Sequence, residues 1–218
     1  MLASSSQSAT LVEFFVNEGK KQKFAKNEYI IFSGESPPGV FYIQQGIVKA
    51  YSITKYKEEN LLIIRKESEI FPLIWALTGK ERSVIYQSLS DTITYKIPRD
   101  RFLEYLNNNP RLLSPVLDMA IEMYRLHSER ILNLEYRSVR ERLVSFLLTT
   151  AERFSIDETE NSKIINVALR HQDIASSINA TREKTSREIS NLEKKGLIVK
   201  NGPYFTLLDV QSLKKIIQ

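Results

Sequence analysis

The chain reads as an α+β protein with three parts: an N-terminal double-stranded β-roll, a long central helix and a C-terminal winged helix-turn-helix. Three observations predict this. Short alternating apolar runs broken by turn residues fill the stretch from about Phe24 to Pro98, the pattern of a barrel or roll. From Ser114 to roughly Tyr136 apolar residues recur at steps of three and four, the pattern of one long helix. From Gln172 to Leu207 two short helices around a tight turn precede two short strands.

In the roll the predicted strands are Tyr29–Phe32, Val40–Ile43, Ile47–Ile53, Leu61–Ile64, Val84–Gln87 and Ile93–Ile97. Ser33–Gly39, Gln45-Gly46 and Lys55–Asn60 supply turns between them. The amphipathic segment Leu11–Phe15 reads as a short helix packed against the roll, and Trp75 as a plug of the roll or of its junction with the long helix. Helical periodicity begins after Pro98, with Arg99–Leu106 ending at Asn107-Asn108-Asn109.

Ser114 is the cap and Pro115 the first residue of the long helix. Leu117, Ala120, Tyr124, His127, Ile131 and Leu134 form a heptad seam, read as the interface with a second copy of the chain. Met119, Ile121, Met123, Leu126 and Leu132 form a second apolar set, expected to face the roll. The competing reading is a central helix buried inside one monomer. His127 on the seam would meet its symmetry mate, so its protonation would tune the dimer with pH; the simpler reading is a packed, hydrogen-bonded histidine. The next helix, Val139–Phe154, carries Leu143, Val144, Phe146, Leu147 and Leu148, and the polar segment Ser155–Ser162 is expected as a loop. The expected domains are residues 1–113, 114–137 and 138–218.

The C-terminal part carries the chemistry. Ile174, Ala175 and Ile178 line one face of its first helix, and Ile189 and Leu192 the inner face of the second. Asn179 occupies the turn, where a short polar side chain tolerates positive φ. Thr181 is a good N-cap, and Glu183 in the first turn suits the helix dipole. Outside remain Arg182, Glu183, Ser186, Arg187 and Ser190, a face with nothing apolar to bury. Charge on one helical face is ordinary by itself. Combined with the Leu197–Leu207 hairpin around the turn signal Asn201-Gly202, which places Lys200 and Asn201 to touch phosphate, it makes a winged helix whose second helix enters a DNA major groove.

Composition narrows the alternatives. The 218 residues, 42% apolar, suffice for real cores, and the net charge of +5 suits a polyanionic partner. No uncharged apolar run could span a bilayer, and Met1–Ser6 lacks the character of a signal peptide, so a cytoplasmic protein is the default. Cysteine is absent, which excludes disulfides, cysteine-ligated iron–sulfur clusters and cysteine zinc sites. The two histidines, His127 and His171, lie far apart without metal-site spacing. No phosphate-binding glycine loop, nucleophile elbow or His-Glu-x-x-His occurs, and an enzyme is not expected.

A roll, a long dimer helix and a winged helix in this order resemble the CRP/FNR family of bacterial transcription regulators over nearly the whole chain. The resemblance rests on Ile31–Glu35, on Val40–Gly46, and on Gln172–Ala175 through Leu192–Ile198; singly, only the last block is specific. It implies a cyclic-nucleotide-binding-like roll and a homodimer on a two-fold symmetric promoter site, with RNA polymerase as an expected partner. In that family Arg-Glu-x-x-x-Arg of the recognition helix reads the half-site. Here Arg182 and Arg187 would each contact a guanine and Glu183 a cytosine amino group, giving a TGTGA-like half-site. Family members with serine in the position of Ser186 shift the preference toward a TTGAT-type sequence.

The effector cassette departs from the family pattern. Cyclic-nucleotide binders carry Gly-Glu-Leu, whose Glu holds the ribose, followed by Arg-Ser/Thr-Ala for the cyclic phosphate. This chain has Phe71-Pro72-Leu73 and then Arg82-Ser83-Val84. The ribose contact and one amide donor are lost while the phosphate half remains. Ser128 matches a base-contacting position, and His127 stands where a threonine is usual. Arg82, Ser83, His127 and Ser128 are therefore the candidate effector residues, with Arg82 equally readable as an exposed turn arginine. Cyclic AMP is disfavoured against another small ligand or none. Haem and cluster sensing are disfavoured too, since those relatives use cysteines or a histidine in the roll, and no histidine precedes His127.

Two other classes compete with a sequence-specific regulator. One is a small-ligand sensor whose winged helix serves protein contacts. The other is a nonspecific architectural DNA protein, which sits badly with Glu183 at the groove.

Overall fold

The computed structural model describes residues 4–159 and 161–218, so Met1–Ala3 of the N-terminal segment and Glu160 of the polar loop lie outside it. The chain divides into two compact units. One holds the residues up to Ile53 together with Leu62–Leu126; the other holds Thr54–Leu61 and His127–Gln218.

The first unit opens with α1 (Ser5–Glu18), which begins six residues before the predicted apolar segment. A reciprocal capping box starts it: Ser4 Oγ accepts from the Gln7 N–H at 3.3 Å while Gln7 Oε1 accepts from the Ser4 N–H at 2.8 Å. Its buried face is Leu11, Phe14 and Phe15, as expected. Eight strands follow: β1 (Lys20–Phe24), β2 (Tyr29–Ile31), β3 (Val40–Gln45), β4 (Val48–Ile53), β5 (Glu59–Arg65), β6 (Ile70–Phe71), β7 (Ile85–Ser88) and β8 (Thr92–Ile97). They form two four-stranded sheets, ordered β1-β8-β3-β6 and β2-β7-β4-β5. Strands distant in sequence lie side by side, as in Val40 opposite Ile97, which makes a roll rather than a meander. Gly46 between β3 and β4 has φ +99, and a Cβ there would lie 2.5 Å from the Asp91 carbonyl oxygen, so only glycine fits.

Phe71 lies at the heart of the roll, its ring stacked at 5.1 Å on Phe41 and at 5.0 Å on Tyr86. Helix α2 (Leu73–Thr78) follows directly, and Trp75 on it packs against this core, the place predicted for it. Arg99, at the start of α3 (Arg99–Asn108), donates its Nε–H to the Trp75 and Ala76 carbonyls at 3.0 and 3.1 Å, near the C-terminal end of α2.

Helix α4 (Leu113–Tyr136) contributes its residues up to Leu126 to the first unit. Val116 and Met123 are buried, with Met119 and Leu126 packed against the same core, as predicted. The second apolar set is nevertheless divided differently from the expectation. Ile121 and Leu132, expected on the roll, are exposed, and Ala120, expected on the seam, packs against the core. Helical spacing explains the exchange: Ala120 is four residues from Val116, whereas Ile121 is four from the exposed Leu117 and three from the exposed Tyr124.

Charges buried in the first unit carry no mark in the sequence pattern. Lys49 is buried with its Nζ 4.4 Å from the centre of the Tyr51 ring. Arg65 is buried too, donating Nη1–H to Glu69 Oε2 at 3.2 Å and Nη2–H to the Met123 sulfur at 2.8 Å, while its Nε–H has no partner. A thioether is a weak acceptor, so Glu69 is the principal counter-charge described for this cation.

In the second unit, α5 (Val139–Phe154) starts at another capping box. Ser138 Oγ accepts from the Glu141 N–H, and the Glu141 carboxylate, held below its usual range by its bonds to Ser138, accepts from the Ser138 N–H at 2.6 Å. Part of the segment expected as loop is strand: β9 (Ser155–Glu158) pairs with β10 (Lys163–Ile165). Then come α6 (His171–Ser177), α7 (Arg182–Lys194), β11 (Ile198–Asn201), β12 (Tyr204–Leu207) and α8 (Val210–Ile216). The predicted hairpin is thus half of a sheet ordered β11-β12-β10-β9. Arg130, on the part of α4 that belongs here, donates Nε–H to the Ser177 carbonyl at 3.0 Å and Nη2–H to Asn60 Oδ1 at 2.7 Å. Burial depresses its guanidinium below the usual arginine value.

Removing one partner of a buried pair leaves the other charge uncompensated. Glu69→Ala should therefore lower stability by about 3 kcal/mol, more than Arg65→Met, which removes the cation itself. Urea unfolding followed by Trp75 fluorescence, the chain's one tryptophan, checks the order.

Candidate nucleic-acid interface

The interface is built on α6 and α7. Arg170 precedes α6 and makes a two-pronged ion pair with Asp173: Nε–H to Oδ2 and Nη2–H to Oδ1, both 2.8 Å. Its backbone N–H donates to the same carboxylate at 3.1 Å. Asp173 is buried, so three bonds fix the start of the helix where water cannot compete. Ile174, Ala175 and Ile178 fill the space beneath, as the periodicity predicts. Asn179 turns the chain with φ +49, the left-handed conformation anticipated for it.

Thr181 caps α7, its Oγ1 accepting from the Lys184 N–H at 3.2 Å. Thr185, Ile189 and Leu192 are buried beneath this helix, which packs on α5, α6 and β11. Thr185 was not anticipated at the inner face; it is accommodated because its hydroxyl donates to the Thr181 carbonyl at 2.9 Å. Arg140 on α5 donates to Glu188 Oε2 at 2.7 Å and ties α7 from the side. The opposite face presents Arg182, Glu183, Lys184, Arg187 and Ser190 exposed.

Two residues differ from expectation. Ser186 is half-buried rather than free, its Oγ 2.7 Å from Nδ1 of His171 on α6. Asn201 is paired with Tyr204 across the wing, so the hairpin turn is Gly202-Pro203 and not Asn201-Gly202. Lys200 is half-buried and Asn201 exposed on this wing. His171 was missed as a site residue because fifteen positions separate it from Ser186, and no helical or strand spacing links them. Its imidazole is held below its ordinary value by burial first, then by the charges of Lys200 and Arg182.

The candidate effector residues fall in both units. Arg82 and Ser83 are exposed, in the segment between α2 and β7 of the first unit; His127 and Ser128 are half-buried, on the part of α4 that belongs to the second. Tyr86 is pushed above the usual phenol value by burial, an effect opposed by Arg65 and Arg82. On the predicted seam, Leu117, Tyr124, Ile131 and Leu134 are exposed, His127 is half-buried, and Ala120 packs inward. None of the described helices is long and apolar enough to cross a membrane.

A β-roll and, later in the chain, a winged helix-turn-helix with two exposed arginines on its second helix define a DNA-binding regulator with a sensor-type domain. Two family models match the chain: the Crp-like helix-turn-helix domain over residues 141–216 and the cyclic nucleotide-binding domain over residues 21–109. Among curated relatives, the global nitrogen regulator of Nostoc sp. is 27% identical over 180 residues, which cover 81% of this chain and 80% of that protein. The fumarate and nitrate reduction regulatory protein of Vibrio cholerae is 22% identical over 197 residues, covering 90% and 78%. The solved structure of FixK2 from Bradyrhizobium japonicum shares the fold with a TM-score of 0.78 at 19% identity, over 92% of this chain and 98% of that one. The chain belongs to the CRP/FNR family of transcription regulators.

Two substitutions test how α6 and α7 are seated. Thr181→Ala removes one cap bond and should cost about 1 kcal/mol. Asp173→Ala removes the buried carboxylate that accepts three bonds from the largely exposed Arg170 and should cost about 2 kcal/mol. Thermal unfolding followed by circular dichroism should place the second variant well below the first.

Proposed function

We propose that the protein is a homodimeric, sequence-specific transcription regulator that recognises a two-fold symmetric, TGTGA-like site. The observation that carries this reading is the division of α7, which buries Thr185, Ile189 and Leu192 and exposes Arg182, Glu183 and Arg187 on the other side. Each arginine can donate two hydrogen bonds to O6 and N7 of a guanine, and Glu183 can accept from a cytosine amino group. Lys200 and Asn201 on the wing would contact phosphate, and Thr181 would hold the N-terminus of α7 against the backbone.

The exposed stripe Leu117, Ile121, Tyr124 and Ile131 on α4 supports a second copy as its cover, because apolar side chains at helical spacing favour a facing helix. Two copies present two recognition helices to half-sites one helical turn apart. RNA polymerase is the further partner of such a regulator, and the cytoplasm its setting.

The residues present do not fit a cyclic nucleotide. Where the family pattern puts a ribose-binding carboxylate, this chain has Pro72, preceded by Phe71 stacked between Phe41 and Tyr86. Arg82 remains available for an anion, but its exposure leaves it in water, where a single ion pair is weak. The effector is therefore a different small ligand or absent, and neither haem nor an iron–sulfur cluster is proposed.

Fluorescence anisotropy with an inverted TGTGA repeat and a scrambled duplex tests the reading. Selective binding without nucleotide is expected, with a loss on the order of tenfold or more for Arg182→Ala. Lys200→Ala should weaken both duplexes alike and reduce the salt slope by about one. Selectivity that appears only with cyclic AMP would overturn the effector reading. Equal binding of both duplexes by the wild type would overturn the half-site. In sedimentation, Ile131→Asp should shift the protein toward monomer; an unchanged dimer would remove α4 as the interface.

A further inference from the structure

We propose that His171 links DNA binding to proton uptake, so that the complex tightens as pH falls. This rests on the DNA reading above and adds a residue outside the recognition helix to its machinery. His171 opens α6 and sets Nδ1 2.7 Å from the hydroxyl of Ser186, one turn beyond Arg182 on α7. Its other ring nitrogen, Nε2, is buried and has no hydrogen-bond partner among the described residues. The ring thus joins the two helices of the DNA-binding motif through one nitrogen and is unsatisfied at the other.

The charges around it explain the coupling. Lys200 on β11 and Arg182 on α7 disfavour the imidazolium, Glu193 on α7 favours it, and burial opposes it most. On its own helix Asp173 is engaged by Arg170, and Glu59 lies 3.7 Å from the same guanidinium. The two cations that add to burial in disfavouring its charge, Lys200 and Arg182, are the ones assigned to phosphate and base. Bringing the polyanionic backbone against them offsets their field at His171 and makes the charged ring cheaper. A ring that gains proton affinity on binding must take up protons on binding. By linkage, DNA affinity then rises as pH falls between the bound and free titration points. Once charged, the ring donates from Nδ1 to the Ser186 oxygen, which releases the serine hydroxyl proton to donate into the groove.

The sign for folding is opposite. A histidine depressed in the folded state stabilises the fold above its unfolded value, and that contribution is lost as pH falls through the folded one. Acid should therefore weaken the free protein while strengthening its complex.

The 218-residue chain tests this directly, because it contains two histidines. Imidazole NMR titration of wild type and of His127→Asn identifies His171 free and bound to the inverted repeat. The expected result is titration below about 6.5 when free and a clear upward displacement in the complex. In anisotropy titrations between about pH 8 and pH 5, the dissociation constant should fall by up to about tenfold per pH unit for each His171 engaged, hence up to about a hundredfold for a dimer, in the linked window. His171→Asn keeps a polar atom near the Nδ1 position without titrating; it should flatten this slope. Selective binding with an unmoved His171 titration, or a wild-type slope in His171→Asn, overturns the linkage and leaves the DNA reading standing. Absence of duplex binding by the wild type at every pH overturns both.

Discussion

Helix α7 has to satisfy two opposed demands within thirteen residues. A helix that enters a groove must leave one face wet and charged, and that face adds nothing to stability in the free protein. Its place must therefore be secured from the remaining surface. Thr185, Ile189 and Leu192 supply the apolar contact, and they are buried to the last few per cent. Around them the unit adds fixed points: Thr181 at the N-terminus, Arg140 on Glu188 from α5, and the Arg170–Asp173 pair that sets α6. The four-stranded sheet behind the wing belongs to the same design. A two-stranded hairpin alone is marginal in water, and pairing β12 with β10 gives Lys200 a rigid strand to stand on.

Helix α4 repeats the theme at larger scale. It carries two apolar stripes separated by a single residue step. Val116, Ala120 and Met123 belong to the first unit's core, whereas Leu117, Ile121 and Tyr124 face outward. One stripe is satisfied inside the chain; the other calls for a second helix. In the roll, the aromatic stack of Phe41, Phe71 and Tyr86 fills the interior, and Arg65 brings a positive charge into the same unit.

Much of this was legible in the sequence because it follows from period and capping. The strands of the roll other than β1 and β6, the long helix, the Thr181 cap, the Asn179 turn and the inner residues of α6 and α7 all express local rules. What escaped reading expresses tertiary pairing. The three residues of β10 are too few to show alternation, so the strand is invisible until its partners are known. The early start of α1 depends on a cap made by Ser4 and Gln7 within a polar stretch that reads as loop. Ala120 and Ile121 were exchanged because a heptad template cannot distinguish neighbouring stripes when both are apolar. The burial of Arg65 and the bond between His171 and Ser186 join residues with no periodic relation, which only the folded chain brings together.

The most direct test of the account is an unbiased one. Selection of duplexes from a random pool by the purified protein, followed by sequencing, assumes neither the half-site nor its spacing. The account predicts enrichment of an inverted repeat with guanine-containing, TGTGA-like half-sites one helical turn apart, lost when Arg182 and Arg187 are both replaced by alanine. Enrichment of a lone, unpaired motif, or of no motif at all, would contradict symmetric recognition by two copies of α7.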